Sequence, residues 1–177
     1  DVFHLLGERD RVFGGTGVIN EDVIYQRGLE AFKQLEIKPG ERVLEIGAGK
    51  FGGLGLVAAL AGAHVFVFEN HPGGLEALKA RLKVVQPQID AKSGSFTIIE
   101  KDFSSADALK DLPSEGFEHI IATDIITPTQ FAAEVNRAAP LTANPAAVQK
   151  ILQAIARLKN ENRGSVLLST PEFYSVQ

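Results

Sequence analysis

The chain has 177 residues, 45% of them apolar and 23% charged, the balance of one globular domain and not of a disordered segment. It contains no cysteine, which excludes thiol catalysis, cysteine-ligated zinc and any disulfide scaffold. Its 18 Lys+Arg against 22 Asp+Glu leave a net charge of −4 with no basic run, so nothing in the electrostatics asks for a nucleic-acid partner.

Residues 1–19 read as an N-terminal loop region, Gly-rich around Phe13-Gly14-Gly15-Thr16-Gly17, and 20–177 as one domain. Asp1 to Asp10 carries charges and no continuous apolar stretch, so no signal peptide is expected there; the chain also lacks methionine, even at position 1. Asn20 is placed to cap a helix whose positions Ile24, Gly28, Ala31, Phe32 and Leu35 follow the 3.6-residue period as far as Pro39-Gly40. Arg42 to Ile46 is a short buried strand. A Gly-rich turn follows, then a helix that Gly62 stops, then a strand from His64 to Phe68. The span Phe51 to Phe68 is apolar apart from His64, but this parsing divides it into helix and strand, so no membrane segment and a cytoplasmic protein are expected. Pro72 suits the first turn of a third helix with Leu75, Leu78, Leu82 and Val85 on one face.

The alternation continues. Ser95 to Glu100 reads as strand, Ser104 to Leu112 as a short helix and Phe117 to Thr123 as strand. Asn144-Pro145 opens a helix with Val148, Ile151, Leu152, Ile155 and Leu158 inward, and Ser165 to Ser169 is a fifth strand. Strands alternating with helices predict the α/β class: a doubly wound, mainly parallel, Rossmann-like sheet covered by helices on both faces.

In such sheets ligands bind beyond the carboxyl ends of the strands, where the strand order reverses. The informative segments are therefore Gly47-Ala48-Gly49-Lys50-Phe51-Gly52-Gly53, Glu69-Asn70-His71, Lys101-Asp102-Phe103 and Thr123-Asp124. Glycines at 47 and 49 let the backbone turn tightly and approach a ligand, and the next helix directs free N–H groups there. Glu69 falls 20 residues after Gly49, where a carboxylate can accept from both hydroxyls of a ribose. Gly47-x-Gly49-x-x-Gly52 also satisfies the dinucleotide fingerprint, so NAD(P) binding is the rival reading. Against it, Glu45 puts a carboxylate inside the first strand, and Asp102 offers an acceptor for an adenine amino group. Neither Tyr25 nor Tyr174 is followed by the lysine of a Tyr-x-x-x-Lys pair. The four histidines, His4, His64, His71 and His119, show no metal-ligand spacing; His64 and His119 are expected to be packed or paired, and His71 alone lies near the cofactor segments.

Arg42-Val43-Leu44-Glu45-Ile46-Gly47-Ala48-Gly49, Glu69, Lys101-Asp102-Phe103 and the strand from Phe117 to Asp124 resemble the successive motifs of class I, seven-strand S-adenosylmethionine-dependent methyltransferases. The resemblance covers roughly 37–124, and residues 55–65 with 123–126 are most similar to the protein-lysine members. It implies S-adenosylmethionine as cofactor, with Glu45, Gly47, Ala48 and Gly49 bordering the methionine moiety. It also implies Glu69 at the ribose and Asp102 and Phe103 flanking the adenine, with Asn70 and Thr123 as further cofactor-binding residues. Asp124 is the candidate base, and a protein or small-molecule acceptor is favoured over nucleic acid. The departures are specific. Phe51 and Gly52 lengthen the first turn by one residue, Asp124-Ile125-Ile126-Thr127 lacks the aromatic that shapes a lysine channel, and no Asn-Pro-Pro-Tyr motif occurs. Only 171–177 follow the fifth strand, so strands six and seven are expected to be missing. A non-catalytic cofactor-binding module of the same fold is the third reading.

Overall fold

The computed structural model describes residues 32–48, 53–103, 105, 107–123, 145–158 and 165–169. Five short, mostly apolar runs form β1 (Arg42–Ile46), β2 (His64–Phe68), β3 (Ser95–Ile99), β4 (His119–Thr123) and β5 (Ser165–Ser169). They make a parallel sheet in the order β3-β2-β1-β4-β5. From β1 the chain steps outward through β2 to β3, then crosses back to lay β4 on the other side of β1. The switch point thus falls between β1 and β4, with Gly47 leaving one strand and Thr123 ending the other.

Side chains alternate across the sheet, which divides the core in two. Val43, Val65, Val67, Phe96 and Ile121 face α1 (Gly53–Leu60) and α2 (Pro72–Ala91). Leu44, Ile46, Phe68, Ile99 and Ile120 face the other way, toward Phe103, Phe117 and Ile155 of α3 (Pro145–Leu158). The doubly wound expectation is borne out. Of the apolar span 51–68, the described residues from Gly53 onward form α1, buried from Leu54 to Leu60, followed by β2. No helix among the described residues is long and apolar enough to cross a membrane.

Gly62 ends α1 as expected. It takes a left-handed φ of +100°, its N–H donates to the Ala59 carbonyl and that of Ala63 to Ala58, so the last carbonyls of the helix are satisfied. Gly94 has a different reason to be glycine: a Cβ there would be driven into the Ala59 carbonyl oxygen, where α2 hands over to β3. Gly94→Ala is expected to cost about 1–3 kcal/mol through this overpacking, read as a lowered melting temperature.

Several sequence expectations are corrected. Helical residues 32–35 stop at Leu35, short of Pro39-Gly40, because Glu36 takes a left-handed φ of 49°; the earlier part of that helix and the loop at 1–19 lie outside the described residues. Among the described residues of 104–112 the helical part is a 3₁₀ turn, Ala108–Asp111, because its N-cap Asp107 makes no side-chain capping bond and Leu112 is already extended before Pro113. Leu152 is 41% exposed, while Ile155 of the same helix is buried and Ala154 and Leu158 pack at the margin; the side chains of Val148 and Ile151 lie outside the described ones. On α2 Leu78 and Val85 are buried, while Leu75 and Leu82 are only half-buried and Arg81 takes a buried place beside them. Among the described residues β5 pairs with β4 alone; the expectation about strands six and seven concerns residues after Ser169, which lie outside them.

The amino ends of the strands carry polar pairs that reach from one strand to the next. His64 Nδ1 lies 3.0 Å from Ser95 Oγ, and His119 Nδ1 lies 2.6 Å from Ser165 Oγ with its Nε2 2.9 Å from Glu41. This bears out the expectation that both histidines are paired. Arg42 donates to Glu118 through its backbone N–H, Nε and Nη2, at 2.8, 3.3 and 2.9 Å. Burial alone would raise the Glu118 pKa, but these bonds and the guanidinium charge hold it at about 2.

Candidate functional site

The strand register brings the expected segments together. Ile46 pairs with Phe68 and Phe68 with Ile99, so the chain leaves β1, β2 and β3 side by side, while Thr123 ends β4 on the far side of β1. Gly47 turns out of β1 with φ +77°, a conformation costly for any side chain, and its N–H donates to the Phe68 carbonyl at 2.9 Å. Ala48 is buried beneath that turn. Gly49 and the rest of the loop to Gly52 lie outside the described residues, as does Asp124.

Glu45 is the unusual residue of β1. Its neighbours on that face are Val67 and Ile121, yet it is a carboxylate with 2% exposure. Its oxygens accept the N–H groups of Leu54 (3.2 Å) and Gly55 (2.9 Å) in the first turn of α1. An acid inside the sheet therefore caps the helix that follows the glycine loop, and the positive end of the helix favours its charge. Gly55 makes this possible, since a Cβ there would stand 2.5 Å from Glu45 Oε2.

Burial pushes Glu45 up from its ordinary 4.5 to about 7, against the lowering effect of the two N–H bonds and with a further rise from the nearby Glu69 charge. Between those two values the folded chain holds a proton that the unfolded chain has released. Stability should fall as pH rises from 4.5 to about 7 and then level off, a span on the order of 3 kcal/mol. Urea unfolding across that window checks it, and Glu45→Gln should flatten the profile.

Glu69 follows β2 and is buried as well, at 7% exposure. Its Oε1 accepts the His71 N–H at 2.8 Å. His71 in turn is the N-cap of α2, its Nδ1 accepting from the Gly74 N–H at 3.4 Å, and Pro72 takes the first helical position as expected. Asn70 stands exposed between the two. After β3, Asp102 is half-buried and its carbonyl accepts from the Ser105 N–H, while Lys101 Nζ bridges Asp107 (3.0 Å) and Asp111 (2.7 Å). The Phe103 ring packs edge-on against Phe68, centroids 5.0 Å apart, within the core under α3. That ring belongs to the core, which leaves the backbone of Phe103 for the rim of the site.

Glu45, Gly47, Ala48, Glu69, Asn70, Asp102 and Phe103 thus gather at one end of the sheet. Sequence reading missed Gly55 and Gly74, the residues that let the two buried carboxylates sit where they do. The available signal was glycine inside helices that alanine would stabilise by roughly 1 kcal/mol. Among the described residues no cluster of metal-ligating side chains occurs.

No protein-family model matches the chain. Over 69 residues it is 42% identical to a protein-L-isoaspartate O-methyltransferase of Methylorubrum populi, a match spanning 39% of this chain and 31% of that relative. Among solved structures, a precorrin-6y C5,15-methyltransferase from Geobacter metallireducens superposes with a TM-score of 0.58 at 17% identity, covering 90% of this chain and 68% of the other. The glycopeptide N-methyltransferase MtfA in complex with S-adenosylmethionine gives 0.54 at 17% identity, covering 80% of this chain and 52% of its own. The chain has the fold of the class I, Rossmann-like methyltransferases.

Proposed function

We propose that the chain is the cofactor-binding part of an S-adenosylmethionine-dependent methyltransferase. The observation that carries this is the pair of buried carboxylates, Glu45 and Glu69, flanking the left-handed turn at Gly47 beside the switch point. A dinucleotide site has no use for a buried acid two residues before its first glycine. A ligand bearing a positive charge, a ribose and an adenine suits this set of donors and acceptors. The curated relative and the solved structures support the same reading through their methyltransferase names.

Bound here, the cofactor would supply an activated methyl group on sulfur, so the protein's task is alignment more than chemical activation. Gly47 and Ala48 give the bare backbone of the cradle, Glu45 fixes the first turn of α1 beneath it, and Glu69 with Asn70 holds the ribose. Asp102 accepts from the adenine amino group beside the backbone of Phe103, and Thr123 closes the switch-point side. Asp124, directly after β4, is the base for an acceptor that arrives protonated. The acceptor is a protein or a small molecule. The protein-L-isoaspartate name of the relative and the protein-lysine pattern of 55–65 and 123–126 support the first of these. A cytoplasmic setting belongs to the same proposal.

A thermal-shift comparison of S-adenosylmethionine, S-adenosylhomocysteine, NAD and NADP tests the cofactor. At a hundredfold excess over its dissociation constant the true ligand adds about 2.7 kcal/mol. Stabilisation by the adenosyl pair is expected; stabilisation by NAD alone would overturn the reading in favour of an oxidoreductase.

A further inference from the structure

The first turn of α2 is Pro72-Gly73-Gly74, and consecutive glycines are a poor way to begin a helix. His71 and Pro72 already supply the capping that the start needs. Gly73 is exposed, and a Cβ on it would meet only the His71 ring at ordinary contact, 3.5 Å. Gly74 differs. It is buried, it lies within regular helix, and a Cβ on it would sit 3.2 Å from the carboxyl carbon of Glu69 and 3.3 Å from its Oε1. That is tighter than nearly all real Cβ contacts, so a side chain at 74 requires the Glu69 carboxylate to give way by a few tenths of an ångström. The same Oε1 accepts the His71 N–H at 2.8 Å, which holds the carboxylate in place.

We propose that Gly74 is a specificity-determining positioning residue, whose missing side chain lets the Glu69 carboxylate settle on the first turn of α2 in the orientation that reads the two hydroxyls of a ribose. The proposal rests on the ribose role of Glu69. Gly74 touches no ligand and acts only through that carboxylate. A Cβ at 74 moves the carboxylate away from the helix by a few tenths of an ångström, enough to spoil a paired set of hydrogen bonds that depends on both oxygens. The helix gains from the same change, because alanine is the better helix former. Affinity and stability are thus expected to move in opposite directions, which a merely structural glycine would not produce.

The test measures calorimetric affinities of the full chain for S-adenosylhomocysteine and for its 2′-deoxy analogue. The parent chain should prefer the ribose form by about tenfold or more, the worth of one charge-assisted bond. In Gly74→Ala that preference should shrink to within about threefold, through weaker binding of the ribose form alone, with an unchanged or raised melting temperature. Gly73→Ala, with the same gain in helix propensity, should keep the parental preference. Glu69→Asp should weaken the parent chain yet recover part of the preference in the Gly74→Ala background, because the shorter side chain clears the new methyl. Parental preference in Gly74→Ala, or no recovery with aspartate, overturns the role of Gly74. Failure of the parent chain to bind either ligand would instead bring down the cofactor reading, and this inference with it.

Discussion

Glu69→Ala is expected to weaken S-adenosylhomocysteine binding by at least about a hundredfold, because it removes two charge-assisted hydrogen bonds of roughly 1.5–3 kcal/mol each. Asp102→Ala removes about one such bond and should cost correspondingly less. The geometry sharpens the contrast. Glu69 is buried and braced by the His71 N–H, so its carboxylate loses little freedom on meeting a ligand, whereas Asp102 is only half-buried. The substitution also deprives the His71 N–H of its acceptor, so a modest fall in melting temperature should accompany the loss of affinity. Calorimetry on both variants and the parent decides it. Equal affinities for Glu69→Ala and the parent would end the ribose assignment.

Gly47→Val should abolish cofactor binding in a protein that still folds. Valine at a φ of +77° is a genuine outlier, and the strain is on the order of 1–3 kcal/mol. A domain with 5–15 kcal/mol of stability survives that. The turn lies past the end of β1, so the new side chain does not enter the core; in the proposed function it enters the space left for the cofactor. A turn with only a structural purpose predicts lost stability and no ligand to lose. Melting temperature and S-adenosylhomocysteine affinity on one sample separate the two, and parental affinity in folded Gly47→Val would remove the cofactor-loop assignment.

Much of this arrangement was legible in the sequence, because it depends on local rules. Gly62 after an apolar run, Pro72 at a helix start and five short apolar strands each follow from backbone geometry, and right-handed parallel connections leave little choice of topology. Glu45 was legible as an oddity, an acid where a buried strand calls for an apolar residue. Its partners were not, since the Leu54 and Gly55 N–H groups reach it only after β1 and α1 have packed. Arg81 shows the same limit. Its spacing, three after Leu78 and four before Val85, puts it on the inward stripe of α2, but its charge argues for the surface, and only the docking of that helix shows it buried. Leu152 erred in the other direction: helical periodicity placed it inward, while the orientation of α3 that buries Ile155 leaves it exposed.

The polar pairs at the amino ends of the strands have a consequence for how such a chain can change over evolutionary time. Slipping any strand by one residue would turn its apolar side chains toward the wrong layer, so alignment must be enforced somewhere. Arg42 with Glu118, His64 with Ser95, and His119 with Ser165 and Glu41 enforce it at the edge farthest from the ligand segments. The opposite edge is thereby released from that duty. Insertions, shortened turns and exchanged residues after Ile46, Phe68, Ile99 and Thr123 can be tried there without unthreading the sheet. One scaffold can in this way carry a succession of different loops at that end while its strands stay in step.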